Sequence, residues 1–446
     1  MEVEKTPLVR EIAKILDATE LRVAYTYYGG VHVMDTDITV QAYKILAVDY
    51  IRKYQESYAD ECFVELTLLR GTYGFKVFPY KENLEFTLYK KPLYSNADVI
   101  ATRYRAVVVD DVNPLDGNSR ANKMTEDEIN RMEMLTIKLQ LIPKFIYTLK
   151  TAELGTVYKK AKVKDVILTT LGKVCEQIET DETNRILGID VVEPDNQEEY
   201  SDLVISHGIR AHDVPNYLQH KVCGVYTNGI GHYIQDQHWY VYPIYDKGRS
   251  DANVRFLNII NVTSERWLGV DKTYRTEGED VYILGTVGAK QKRDKLIDQL
   301  NYGNGIRFNN PNTIQDAISL EKTDNKAKIN RTLRNTEMIS EPLASGDVFA
   351  PTSADTITSN TFKQISKMNS RNGNMVSCVW DNSNMDLIKP GMMVNYFYSD
   401  SDGVTQQVKG CIIQVQHLIS HVNPTALGEN YQSSTAIFMF LEDFEI

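Results

Sequence analysis

A chain of 446 residues, 42% apolar and 24% charged, has the composition of an ordinary folded protein and is long enough for about three or four domains. Its 49 basic and 60 acidic residues leave a formal charge of −11, with no basic stripe of the kind that grips nucleic acid, although an acidic surface still suits DNA that must pass without sticking. Cys62, Cys175, Cys223, Cys378 and Cys411 are scattered and form no CxxC pair, no run of about eighteen apolar residues spans a membrane, and the acidic amphipathic start is unlike a secretion signal, so the chain is expected to be made and folded in a cytoplasm.

Residues 6–17 predict a short helix, with Thr6 as N-cap, Pro7 at the first helical position, and Leu8, Ile12, Ile15 and Leu16 on one face. From Leu21 the apolar period becomes two, and "LRVAYTYYGGVHVMDTD" reads as two strands turned at Gly29-Gly30. Val64, Leu66 and Leu68, then Leu84, Phe86 and Leu88, alternate with polar neighbours, and "RYRAVVVDD" adds a strand before the loop "NPLDGNSRANK". Short, numerous, turn-linked strands predict a first antiparallel β-barrel.

The middle of the chain is mixed. "TEDEINRMEMLTIKLQLIPKF" opens on a capping box, Thr125 to Glu128, and then alternates like a strand through Leu135, Ile137, Leu139 and Leu141. Residues 163–178 carry an apolar stripe of Val163, Val166, Ile167, Leu171, Val174 and Ile178, expected for a core-packing helix. Asp213 is a candidate N-cap for a helix through "VPNYLQHKVCGV", and "HYIQDQHWYVYPIYD" reads as a tight hairpin.

"NVRFLNIINV" and "DVYILGTVG" begin a second β region, interrupted by a polar stretch and resumed at "MVSCVWDNSN". Asp402-Gly403 reads as a hairpin turn between arms at Val394–Tyr398 and Val404–Val415, and "STAIFMFLED" as the last strand. No repeat is legible in the letters. The expected fold class is α+β, mainly β: two antiparallel β-barrels joined by a mixed α/β middle region. The division is 1–118 for the N-terminal helix and first barrel, 119–248 for the α/β connector, 249–290 with 376–446 for the second barrel, and 291–375 for a polar insertion.

The chemical candidates crowd into residues 207–238, which hold five of the eight histidines. A zinc site needs three or four ligands converging at about 2.0–2.3 Å. His220 and Cys223 lie three apart on one predicted helix, His232 and His238 flank the hairpin turn, and His207 and His212 precede the helix. Against this stands the absence of HExxH, paired CxxC or HxH, so hydrogen-bonded structural histidines are the expectation. "AHD" at 211–213 lacks the further ligands of a metal phosphohydrolase. "GNGIRF" from Gly303 lacks the third glycine of a dinucleotide loop, and "GTVGAKQK" lacks the GK[ST] ending of a phosphate loop. "DSDG" at 400–403 has Tyr398 and Lys409 where a calcium loop needs acids, and no GxSxG elbow exists. No catalytic, cofactor-binding or metal residue is therefore assigned, and the expected role is non-enzymatic. The alternative is a cell-wall hydrolase using the histidine-rich segment 207–238, tested by replacing His232 or His238. A third reading, a carbohydrate-binding or adhesion protein, would need Trp239, Trp267 and Trp380 exposed, whereas all three lie in strand-like contexts.

The order of elements resembles the central baseplate hub proteins of tailed, contractile-type bacteriophages. "YADECFVELTLLRGTYGFKVFPYKENLEFTLYKK" resembles the first barrel's hairpins, "GTVYKKAKVKDVILTTLGKV" the helix opening the middle domain, and "DVPNYLQHKVCGVYTNGIGHYIQDQHWYVYPIYD" that domain's helix and hairpin. "LIKPGMMVNYFY" with "VKGCIIQVQHLISHVNP" resembles the closing strands of the second barrel. The resemblance implies barrels of tail-tube type and a virion location in the tail baseplate. It also implies a homotrimer, with the tail tube or its initiator above, a central spike below, baseplate wedge proteins around, and DNA passing through unbound. No cofactor is implied, and no appended enzyme domain is visible, the β pattern running to Ile446.

Overall fold

The computed structural model describes residues 7–18, 24–93, 98–109, 134–178, 185–249, 255–262, 272–292, 319–323, 326–330, 374–399, 404–422 and 430–442. The first barrel is built from β1 (Tyr25–Val33), β2 (Thr39–Gln41), β3 (Lys44–Lys53), β4 (Glu61–Leu69), β5 (Leu84–Pro92), β6 (Ile100–Val108) and β7 (Met134–Pro143). β2 runs into β3 as one bent strand, and the antiparallel order is β1, β2 with β3, β4, β7, β6, β5 and back to β1. Period-two patterning sends Val64, Leu66, Leu68, Leu84, Phe86 and Leu88 into one core, as their alternation predicts.

The connector follows. α2 (Lys144–Leu149) leads to β8 (Glu153–Lys162), α3 (Val163–Gln177), β9 (Gly188–Val191), β10 (Glu199–Arg210), α4 (Val214–Tyr217), β11 (Ile230–Gln235) and β12 (His238–Pro243). β8 and β10 form an antiparallel ribbon, while β11, β12 and β9 form a small sheet with β9 parallel to β12. The predicted stripe of α3 is buried at Val163, Val166, Ile167, Leu171 and Val174, against Leu203, Ile205, Leu218, Trp239 and Val241.

The second barrel uses β13 (Phe256–Asn261), β14 (Tyr274–Glu277), β15 (Asp280–Lys292), β18 (Asn374–Asp381), β19 (Met393–Ser399), β20 (Thr405–His421) and β21 (Tyr431–Leu441). A hairpin of β16 (Ser319–Thr323) and β17 (Lys326–Asn330) lies between β15 and β18 in the chain. Six strands close in the order β13, β15, β18, β21, β20, β19 and back to β13, with β14 added to β15. The mainly β, two-barrel architecture is the expected one, but the second barrel is not wholly antiparallel: β13 pairs in parallel with both β15 and β19. Its run Leu257, Asn258, Ile259, Ile260 is buried on both faces, the condition under which parallel strands occur.

Four expectations need correction. β1 passes straight through Gly29-Gly30 instead of turning there. The glycine is required by close approach: a Cβ at Gly29 would lie 2.5 Å from the Thr87 carbonyl oxygen and 2.6 Å from Phe86 Cζ. β7 belongs to the first barrel, between β4 and β6, so that barrel extends beyond residue 118 to Pro143. The N-terminal helix, α1 (Pro7–Leu16), covers the second barrel and not the first. Ile15 with Leu8, Ile12 and Leu16 packs on Ile260, Val262 and Leu284, and Glu11 pairs with Arg275 at 2.8 Å. Asp213 occupies the position before α4 but makes no capping bond, because a 3₁₀ turn, Ala211–Asp213, has already begun the winding. Thr6, the capping box Thr125 to Glu128, the loop at 113–123, the turn Asp402-Gly403, Gly303 and Trp267 lie outside the described residues.

Candidate functional site

The two barrels share one continuous sheet. β20 is 17 residues long. Its first part, to Cys411, pairs with β19 of its own barrel, and from Gln414 to Ser420 it pairs with Lys53 to Ala47 of β3 in the other. The change of partner coincides with a bulge between Ile412 and Gln414, and the Ile413 carbonyl accepts the Tyr54 amide at 3.0 Å. A bulge adds one residue and re-aims a strand, which is what a strand serving two barrels requires.

The connector is locked onto this junction by buried polar groups. Arg52 is 3% exposed and lies 3.2 Å from the Asp60 carboxylate through Nε, while its Nη1 donates to the Met385 carbonyl at 3.3 Å. Burial works against the guanidinium charge, but Asp60 together with Tyr54, Tyr233 and Asp236 outweighs it and holds the Arg52 pKa above its ordinary value. The Tyr233 hydroxyl of β11 donates to Asp60 at 2.9 Å, and Tyr54 donates to Gln235 Oε1 at 3.3 Å. Gln235 in turn donates to the Ile388 carbonyl at 2.8 Å. First barrel, connector and second barrel therefore meet in one satisfied network, the arrangement in which buried polar groups specify a single geometry. The rings of Tyr54 and Tyr233 meet edge to face at 4.7 Å.

Beside it a cavity of about 40 Å³ separates the barrels, lined among others by Tyr25, Tyr27, Lys90, Asp386, His417 and Tyr431. Lys90 reaches across from β5 to Asp386 at 2.9 Å and stands over the Tyr25 ring at 4.1 Å. Desolvation alone would raise the Asp386 carboxyl, but Lys90, with Arg52 adding to it, brings it below its ordinary value. His417 Nδ1 lies 2.7 Å from Thr435 Oγ1, which also donates to Ser383 at 2.6 Å. Burial, with Arg52 adding to it, lowers the His417 pKa to about 3, so the ring is neutral.

Of the histidines of 207–238, His212 and His232 come together, their rings stacked with Tyr58 at 4.2 and 6.4 Å, and the other three are dispersed. His207 is exposed on β10, and His220 is exposed on the π-helical turn that follows α4. His212 is buried and stacks on Tyr58 at 4.2 Å; burial lowers its pKa. His232 Nε2 pairs with Asn216 Nδ2 at 3.1 Å, and burial lowers its pKa to about 3. His238, at the other end of the hairpin, pairs with Asp190 at 2.9 Å. Cys223 is buried beneath the turn and its thiol is raised by burial to about 12. Among the described residues no three His, Cys, Asp or Glu side chains gather where a metal ion could sit. Trp239 and Trp380 are fully buried, so neither offers a platform for a sugar.

Residues that matter here escaped the sequence reading. Gln219 is wholly buried and replaces a strand partner: its Oε1 accepts the Val225 and Tyr226 amides and its Nε2 donates to the Tyr226 carbonyl, each at 2.9 Å. Arg52, Asp60, Gln235 and Tyr431 carry no local motif. An arginine inside an alternating strand, at a position whose neighbours point outward, was the one available signal.

No family model matches the sequence, and no curated protein matches it. Solved structures similar to the chain include a tail protein from Neisseria meningitidis MC58, 10% identical, covering 94% of this chain and 97% of that one with a TM-score of 0.41. The 43 kDa tail protein of prophage MuSo2 from Shewanella oneidensis is 10% identical over 94% of this chain and 98% of its own, with a TM-score of 0.45. A lidded Francisella PdpA-VgrG complex is 8% identical over 98% of this chain and 56% of that one, with a TM-score of 0.39.

Proposed function

We propose that this chain is a structural protein of a phage-type tail, a trimeric baseplate hub that joins a sixfold tube to a threefold spike. One observation carries the reading: the two barrels repeat a single strand order. Taking each barrel's first strand, then its second and third, then its closing three-strand meander, β1, β2 with β3, β4, β7, β6, β5 corresponds to β13, β15, β18, β21, β20, β19. Three copies of such a chain supply six similar barrels, a physical way for one polypeptide to face sixfold symmetry on one side and threefold on the other. The continuous β20–β3 sheet supports it further, because it holds two barrels of one chain at a fixed angle. In this reading the tube or its initiator sits above, the spike below and wedge proteins around. The acidic balance suits a bore through which DNA passes unbound, and the protein resides in the virion after assembly in the host cytoplasm.

Mass measurement of the purified chain, with electron microscopy of the particles, tests this. The expected result is three copies in a ring of six densities; a chain that remains a monomer at high concentration overturns it. The wall-hydrolase alternative finds no support in the arrangement of His207, His212, His220, His232 and His238, since burial lowers the pKa of both His212 and His232 and, among the described residues, no three potential ligands gather where a metal ion could sit.

A further inference from the structure

The repeated strand order makes the internal junction a template. In the first barrel, β2 pairs with β1 and then bends away as β3; after a bulge between Ile45 and Ala47, the vacated edge takes β20, from Ala47 onward. In the second barrel, the corresponding strand β15 pairs with β13 as far as Gly285 and has its own bulge between Val287 and Lys290. From Thr286 to Lys292 it pairs with β18 on one side, and among the described residues no strand occupies the other. Among the described residues the complementary half is open as well. β20 leaves β19 at Cys411 and takes β3 from Gln414. Its counterpart β6 leaves β5 at Ala106, and beyond that point its β5 side has no partner strand among the described residues.

Among the described residues the chain thus holds one completed junction and the two unlike halves of a second. We propose that these halves meet between copies: the end of β6 in one protomer, around Val107–Val109, pairs antiparallel with the open edge of β15, Thr286–Lys292, in the next. The contact is head to tail, as a closed ring requires, and it repeats between chains what β20 and β3 do within one. It removes two strand edges that would otherwise template aggregation. Val107 and Val109 are 42% and 45% exposed in the single chain, an apolar end that a neighbour would cover. The pairing rests on the ring reading above and names the surfaces that build it.

Strand geometry supplies the test. Val109 donates its amide to the Lys138 carbonyl of β7 at 3.0 Å, so alternation turns the Val108 amide to the open side. Val108→Pro removes that donor while leaving the bonds to β7 in place. The full-length parent and the variant are compared by mass measurement across a dilution series, with thermal unfolding as the check on the fold. Hydrogen exchange of the parent is followed above and below the dissociation concentration. The expected results are a trimer for the parent, a folded monomer for Val108→Pro, and the Val108 amide and those amides of 286–292 that face away from β18 slowed by on the order of tenfold or more on assembly. A trimer in which both edges exchange as fast as in the monomer overturns the pairing alone, whatever the variant's fold, as does a Val108→Pro chain that still trimerises. A parent that never leaves the monomer overturns the ring and the pairing together.

Discussion

Tyr431, on the last strand of the second barrel, donates its hydroxyl to the carbonyl of Ile45 in the first, 2.9 Å away and 386 residues earlier in the chain. The same hydroxyl lies 3.1 Å from the Tyr27 carbonyl. It therefore bridges β1 and β3 where these strands diverge and their own ladder is interrupted. The first barrel is sealed by a side chain of the second.

Removing that hydroxyl leaves backbone carbonyls at the seam without their donor. Tyr431→Phe is expected to lower stability by about 1–2 kcal/mol, read from the midpoint of urea unfolding. An unchanged midpoint would show that the seam is held by other contacts.

The Arg52–Asp60 pair should behave asymmetrically. Asp60→Ala strands a guanidinium that is 3% exposed, and a loss of about 3–5 kcal/mol is expected. Replacing both, as Arg52→Met with Asp60→Leu, should recover a good part of that loss, because no charge is then buried alone. Equal losses for the single and double changes would contradict this account.

Two buried histidines set an acid limit. His232 and His417 have pKa values lowered by burial from 6.5 to about 3, so the unfolded chain binds protons that the folded chain refuses. Their contribution is fully present above pH 6.5 and is lost as pH falls from there towards 3. Unfolding free energy measured against pH should decline over that window, and His232→Phe should flatten the upper part of the decline, before the carboxylates titrate. A parent whose stability is level from pH 7 to about 4.5 would sink the claim.

Gly29 tests the close approach of β1 to β5. Gly29→Ala places a methyl 2.5 Å from the Thr87 carbonyl oxygen, a backbone atom that cannot move without parting the strands. A loss of about 1–3 kcal/mol in thermal or urea unfolding is expected. A neutral outcome would return the glycine to the role of a tolerated spacer.

Much of the local structure was legible because it follows from period alone. The alternation of Val64, Leu66 and Leu68 placed one strand, and the stripe from Val163 to Val174 placed a helix, since each pattern buries one face only in its own geometry. The hairpin at Asp236-Gln237 was legible too, although both residues take left-handed backbone angles, φ 50° and 63°, without a glycine. Gly29-Gly30 misled because glycine serves both turns and close strand contacts, and the difference lies in the neighbour of Gly29, Phe86, 57 residues on. The histidines were read as structural, but nearness in sequence said nothing of whether His232 and His238 point to core or solvent.

By itself the sequence determined that this protein is mainly β, that its strands fall into two groups around an α/β middle, and that its helix faces are apolar. These are properties of neighbours within a few residues, fixed by backbone period and by the removal of apolar side chains from water. Only the tertiary structure decided that α1 covers the second barrel, that β20 serves both barrels, and that Arg52, Asp60, Tyr233 and Gln235 tie three regions together. Those choices depend on which buried donors meet which acceptors across hundreds of residues, and no local pattern encodes a partner that distant.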